Sequence, residues 1–299
     1  MRNAAPNSTS SNSGSESHGH PSAIILAAGM GKRMKSDLPK VLHPIGGRPM
    51  VCAVIDACRD AGCRRIVLVI GHRQELVREA IAKAYGANHT IEFGLQPEQL
   101  GTGHAVRCVE NQFLAEKSAP GNEVFVLAGD GPLIRSSTLS DLLSRHRAAH
   151  AAATLATSVI PDPTGYGRIV RDGHGAFAAI VEQKDCTPAQ LGIHEVNPSY
   201  YCFDCREMFS ALEHVKKNPS SGEYYITDVP ALLLSQGKRV EVIPSVPPED
   251  VLSINTPEQL AEVDAIYLRR IKSGAGTATL RVGNADATRS VAVPKGTST

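Results

Sequence analysis

The chain has 299 residues, 42% of them apolar, which is enough to bury a full core in one large or two small domains. Its 31 Lys and Arg nearly balance 30 Asp and Glu, a formal net charge of +1, so no global field directs it to nucleic acid or an anionic membrane, and any basic site is local. No window holds the roughly 18 to 20 consecutive apolar residues of a bilayer span, and seven cysteines scattered from Cys52 to Cys205 argue against a disulfide framework and for a reducing, cytoplasmic compartment.

Residues 1–22 are polar and rich in Ser, Asn and Gly, with no apolar h-region, which predicts a disordered leader rather than a secretory signal. From 23 to 272 apolar runs of strand length alternate with amphipathic stretches of helix length. "AIILAA" is followed by the helix "PMVCAVIDACRDAG", with Pro49 in its first turn and Gly62 at its exit. Next come "RRIVLVIGH" and "RQELVREAIAKAYG", "TIEFGLQ" and "GHAVRCVENQFLAEK", then "EVFVLAGD" and "STLSDLLSRHRAAH". Four such alternations predict an α/β fold, Rossmann-like, with a mixed, mostly parallel sheet flanked by helices.

The second half is richer in strands. "TLATSVI" reads as a strand and "GRIVRDGHGAFAAIVEQ" as a hairpin turning at Asp172 and Gly173. After "EVNPSYYCFD" come the helices "REMFSALEHVKK" and "ITDVPALLLSQG", the strand "RVEVIPSV" and the closing helix "TPEQLAEVDAIYLRRIKS". The C-x-x-C of Cys202 and Cys205 lies beside an apolar strand, without the helix N-terminus or second pair that a redox or zinc role needs. No linker divides the halves, so one domain is expected over 23–272, with a loosely ordered tail at 273–299.

In open α/β sheets ligands sit at the carboxyl ends of the strands, and the loops there are polar or glycine-rich. Behind the first strand, Gly29 and Gly31 can turn backbone N–H groups toward a phosphate while Arg33 and Lys40 supply positive charge. Two rival phosphate loops do not fit: Met34 stands where the dinucleotide fingerprint requires its third glycine, and the two glycines are too close for a P-loop. Cations within the loop favour a triphosphate or pyrophosphate. Asp130 ends a buried strand, where a carboxylate calls for a cation or strong donors.

"LAAGMGKRM" followed by "LPK" resembles the signature of the sugar-1-phosphate nucleotidylyltransferases. "LQPEQLGTGHA", "AGDGPLI", "DPTGYGRI", "VEQKD", "GEYYITD" and "INTPEQL" follow in order, and the series is similar to the uridylyltransferase domain of the bifunctional enzyme that makes UDP-N-acetylglucosamine. The resemblance implies transfer of UMP from UTP to N-acetylglucosamine-1-phosphate, with Mg²⁺ as cofactor. It places Leu26, Ala27, Ala28, Gly29, Gly31, Arg33, Lys40, Gln96, Gly101 and Thr102 on the nucleotide, with Arg33, Lys40 and Asp130 catalytic. Asp130 and Asn255 become the metal ligands, and Gly167, Glu182, Asn197 and Thr227 the sugar contacts. Taken alone, Asn255 also reads as the start of a helix, and Glu182 with Lys184 as a surface pair.

Three positions depart from the family pattern. Lys32 replaces a threonine, Pro198 follows Asn197 in place of Thr or Ser, and Ala128 and Gly131 are small where bulkier residues are usual. Pro198 removes a backbone donor beside the sugar, which exposes sugar selectivity most. The hexapeptide repeats of the acetyltransferase half do not occur in the sequence, so acetyl transfer is not expected. Two alternatives stay open: transfer of UMP or dTMP to another sugar-1-phosphate such as glucose-1-phosphate, or a nucleotide-sugar sensor without turnover. Oligomeric state has no sequence signal.

Overall fold

The run Ser22–Leu26 forms the first strand, β1, buried along all but its last residue. It belongs to a computed structural model that describes residues 19–273. The leader and tail expected at 1–22 and 273–299 therefore lie, apart from residues 19–22 and 273, outside the described residues. After β1 come two short strands, β2 (Pro44–Ile45) and β3 (Arg48–Pro49), then α1 (Met50–Asp60), β4 (Arg65–Ile70), α2 (Gln74–Tyr85) and β5 (Ile91–Leu95). Next are α3 (Thr102–Arg107), α4 (Leu114–Ser118), β6 (Glu123–Ala128) and α5 (Ser136–Ala149). The second half runs β7 (Ala153–Val159), β8 (Gly167–Arg171), β9 (Phe177–Val181), α6 (Pro188–Leu191), β10 (Glu195–Asp204), α7 (Cys205–Leu212), α8 (Val229–Ser235), β11 (Val240–Ile243) and α9 (Pro257–Lys272).

The main sheet has the order β11-β7-β10-β6-β1-β4-β5. β1, β4, β5 and β6 are parallel, as are β7 and β11, while β10 runs antiparallel to both β6 and β7. The β8–β9 hairpin branches from β10 at Asn197 and Gly167. Period-two alternation puts Ala23 and Ile25 of β1 in the core beneath α1 and α5, and Ile24 in the opposite core beneath α3 and α7. A third cluster, including Met34, Met50, Ile254 and Ile266, clamps α9 and the segment before it onto the loop behind β1. No helix among the described residues is long and apolar enough to cross a membrane.

Four local readings change. The helix expected over 103–117 is interrupted, because i+3 bonds from Val109 N to Val106 O (3.2 Å) and Gln112 N to Val109 O (2.9 Å) tighten the chain and bury Val109 and Phe113. The hairpin turns through residues 172–176, with Asp172 Oδ1 accepting from His174 N and Ala176 N, both 2.9 Å. "REMFSALEHVKK" is helical only to Leu212. Cys205 does open a helix, α7, but both cysteines of the C-x-x-C are buried and burial pushes the Cys205 thiol up to about 12, a packing position rather than a reactive one.

Candidate active site

The chain passes from β1 to β4 and β5 on one side, then returns through β6 on the other. The carboxyl ends of β1 and β6 therefore flank a topological switch point, where open α/β sheets bind ligands. A cleft of about 500 Å³ opens there. Its floor is formed by the strand ends at Leu26 and Ala128, one rim by Gly29, Gly31, Arg33, Lys40, Asp130 and Asn255, and its far walls by Gln96, Thr102, Glu182 and Thr227.

The cations of the first loop converge on the two expected metal ligands. Lys40 Nζ donates to Asp130 Oδ2 and, at 2.7 Å, to Asn255 Oδ1, which also accepts from Arg33 Nη2 at 2.8 Å. Gly31 makes this approach feasible: its backbone is left-handed (φ +59°), and a Cβ there would stand 2.7 Å from Lys40 Cβ. The Asn255 amide is oriented from behind, since Nδ2 donates to Ser253 Oγ at 3.1 Å, which turns Oδ1 toward the cations. Thr256, not Asn255, caps α9 by accepting from Gln259 N. That leaves the Asn255 side chain for the cleft.

The segment carrying Asn255 is pinned at several points. Asp250, almost fully buried, accepts from Arg135 Nε at 2.5 Å and from Arg270 Nη2, and its carbonyl accepts from Tyr200 Oη at 2.8 Å. Tyr166 Oη donates to Val251 O at 3.1 Å, tying the loop before β8 to this segment. Asp130 joins in through its carbonyl, which accepts from Ile254 N at 3.2 Å.

At the other end, Gln96 is 3% exposed, and its Nε2 donates to Gly101 O at 3.0 Å and lies 3.2 Å from His104 Nδ1. With His104 in the Nε2–H tautomer, both amide hydrogens are engaged and Oε1 is the group Gln96 offers. Gly101 has φ +98°, and a Cβ there would fall 2.5 Å from Tyr224 O. This close approach lets Gly103 N donate to Tyr224 O, Tyr224 N to Leu100 O (both 2.8 Å) and Ile226 N to Thr102 Oγ1 (3.1 Å). The Thr102 hydroxyl thus joins the loop at Gly101 to the segment bearing Thr227.

Thr227 Oγ1 donates to Glu182 Oε1 at 3.1 Å, and burial pushes the Glu182 carboxyl above the ordinary carboxylate range. The surface-pair reading of Glu182 and Lys184 does not hold, since Lys184 pairs with Glu223 at 3.1 Å and stands over the Tyr225 ring. Three expected residues do not line the cleft. Ala27 points into the core, Gly167 is paired inside the β8–β10 ladder, and Asn197 is buried with Nδ2 donating to Tyr201 Oη (2.6 Å) and Oδ1 accepting from Ser199 N (3.1 Å). Ser199 and Tyr201 line it instead, together with Lys184, Glu223 and Tyr225. Lys184, Glu223 and Tyr225 fall within the motifs "VEQKD" and "GEYYITD" but were not singled out as site residues in the sequence.

The fold, with phosphate-matching cations at the switch point of a mixed sheet, defines a nucleotide-handling α/β protein. The family model for nucleotidyl transferases matches residues 22–246, and the chain belongs to that family. Among curated relatives, the bifunctional protein GlmU of Clostridium acetobutylicum is 44% identical over 249 residues, covering 83% of this chain and 52% of that protein. GlmU of Brevibacillus brevis is 43% identical over 252 residues, covering 84% and 52%. The chain thus spans about half the length of the curated relatives it matches. A solved UDP-glucose pyrophosphorylase complexed with UDP-glucose aligns with a TM-score of 0.66 at 17% identity, over 84% of this chain and 99% of that one, a likeness of fold.

Proposed function

We propose that the chain transfers UMP from UTP to N-acetylglucosamine-1-phosphate, yielding UDP-N-acetylglucosamine and pyrophosphate, with Mg²⁺ as cofactor. The observation that carries this reading is the convergence of Lys40 and Arg33 on Asp130 and Asn255 at one rim of the cleft. The resemblance to the uridylyltransferase domain supplies the substrates. A cytoplasmic setting fits the need for UTP.

The acceptor's phosphate oxygen is already an anion near neutral pH. It bonds to the α-phosphorus of UTP as the bond from that phosphorus to the bridging oxygen breaks, so no general base is required. The chain's work is to align two polyanions and neutralise them. Arg33 and Lys40 hold the triphosphate, and Lys40 offsets the charge that builds on the transferring phosphoryl group. The Gln96 Oε1 acceptor matches the N3–H donor of uracil and meets an acceptor in cytosine, which favours a uridine nucleotide. Glu182 and Thr227 supply an acceptor and a hydroxyl to the sugar.

The residues present fit a divalent ion. Asp130 Oδ2 and Asn255 Oδ1 converge on a single ammonium, Lys40 Nζ, so two hard oxygen donors already face one cationic position. A hydrated Mg²⁺ that shares phosphate oxygens accepts so few protein ligands. When bound it supplies additional charge neutralisation at the phosphates.

The test is pyrophosphate release from UTP and Mg²⁺ with N-acetylglucosamine-1-phosphate or glucose-1-phosphate, using Asp130→Ala as the blank. Release that favours the N-acetylated sugar is expected. A preference for glucose-1-phosphate would overturn the sugar assignment, and nucleotide-sugar binding without release would overturn the catalytic one.

A further inference from the structure

We propose that Ser199 is a specificity-determining residue whose hydroxyl hydrogen-bonds the pyranose ring of the acceptor, an inference that rests on the uridylyltransfer reading above. Four residues other than glycine have a left-handed backbone among the described residues: Lys35, Arg73, His150 and Ser199. Lys35 and His150 follow the C-termini of helical turns and Arg73 precedes α2, places where a chain reverses or enters a helix. Ser199 (φ +65°) instead lies inside a strand and lines the cleft. A side chain is disfavoured in that conformation where glycine is not, and such strain gathers at ligand sites.

The geometry around it is built to hold this conformation. Val196 pairs with Ser158 and Tyr200 with Ala156, so a step of four residues on β10 matches a step of two on β7, and the intervening residues leave that ladder. Pro198 falls within this bulge, where its missing N–H interrupts no pairing and its ring fixes the backbone one residue before Ser199. Asn197 uses its Oδ1 to accept from Ser199 N and its Nδ2 to donate to Tyr201 Oη, so its amide braces the bulge. The N-P-S segment thus presents Ser199, rather than Asn197, to the cleft. Glu182 and Thr227 line the same cleft, so the acceptor ring would meet a carboxylate and two hydroxyls.

Ser199→Ala removes the hydroxyl and keeps the strain, whereas Ser199→Gly removes both. The measurements are KM for N-acetylglucosamine-1-phosphate at saturating UTP, KM for UTP, the melting temperature, and the same kinetics with monodeoxy sugar-1-phosphates. Both variants are expected to raise the sugar KM about five- to thirtyfold, the loss of one hydrogen bond, with the UTP KM within about twofold. The Gly variant is expected to melt no lower than the unsubstituted chain. One monodeoxy sugar should be handled equally well by the unsubstituted chain and by Ser199→Ala, which a purely structural role would not produce. An unchanged sugar KM in Ser199→Ala, or equal rises for sugar and UTP, overturns the assignment to Ser199 alone. Failure of the unsubstituted chain to bind or turn over any sugar-1-phosphate overturns the uridylyltransfer reading along with it.

Discussion

Lys40→Met should change metal binding and turnover in opposite directions. Lys40 Nζ pairs with Asp130 Oδ2 and donates to Asn255 Oδ1 at 2.7 Å, and the Lys40 and Asp130 side chains are 13% and 24% exposed. Charge-assisted hydrogen bonds contribute about 1.5–3 kcal/mol where shielded. Discounted for the remaining water contact, the interaction comes to about 1–2 kcal/mol, or about five- to thirtyfold in an equilibrium constant. If the proposed metal site is right, a divalent ion in the nucleotide-free chain competes with the ammonium for these two oxygens. Methionine keeps the unbranched stem that packs against Gly31 and removes the competitor. Mn²⁺ titration followed by electron paramagnetic resonance should therefore show binding tighter by that factor, while kcat falls about 10²- to 10³-fold with the loss of a transition-state cation. Weaker Mn²⁺ binding in Lys40→Met would refute the competition, and near-normal kcat would refute the catalytic role.

Ser253→Ala frees the Asn255 amide to rotate; Mn²⁺ affinity should drop about fivefold, with a melting temperature close to that of the unsubstituted chain. Gly101→Ala places a Cβ 2.5 Å from Tyr224 O on a backbone with φ +98°, so the loop at Gly101 must separate from the segment bearing Thr227. Strain of about 1–3 kcal/mol should lower the melting temperature by several degrees and raise the UTP KM; an unchanged KM would argue against this loop holding the base. For Glu182 the folded carboxyl is raised by burial, so the stability linked to its proton is present below about 4.5 and is lost as pH rises through the folded value. Melting curves should show Glu182→Gln matching the unsubstituted chain in acid and exceeding it at neutral pH, while its sugar KM rises; parallel curves at every pH would refute the burial argument.

Much of the first half of the fold was legible because β1, β4 and β6 are short, almost fully buried runs and α1, α2 and α5 each bury an apolar face. Strand pairing in the second half was not. β10 carries Pro198, which argues for an edge strand, yet β10 lies between β6 and β7, and the proline is accommodated only because the bulge removes it from the ladder. No local pattern announces that Tyr200 pairs with Leu127, 73 positions earlier in the chain. In the site, Arg33, Lys40 and Asp130 stood out as charges beside a glycine turn or at the end of a buried strand. Asn255 and Thr227 came only from the family resemblance, because an amide before a helix and a threonine before an aspartate have ordinary structural uses. Ser199 carried no sequence signal, since its distinction is a backbone angle.

The antiparallel β10 also bears on how this sheet would serve the proposed two-substrate reaction. A parallel strand beside β6 would send its own loop to the cleft and leave the acceptor wall to chance packing. β10 instead branches to the β8–β9 hairpin at Asn197 and Gly167, and the next turn after β9 carries Glu182. The wall so formed is joined to the rim bearing Asn255 where Tyr166 Oη meets Val251 O, four residues before it, and to the Gly101–Thr102 loop where Ile226 N meets Thr102 Oγ1. For a reaction that needs no proton abstraction, the barrier is lowered by alignment and charge. On the proposed reaction, cross-bracing this wall to both ends of the cleft would hold the two phosphates in one frame. Loosening either brace should therefore reduce kcat even when each substrate still binds.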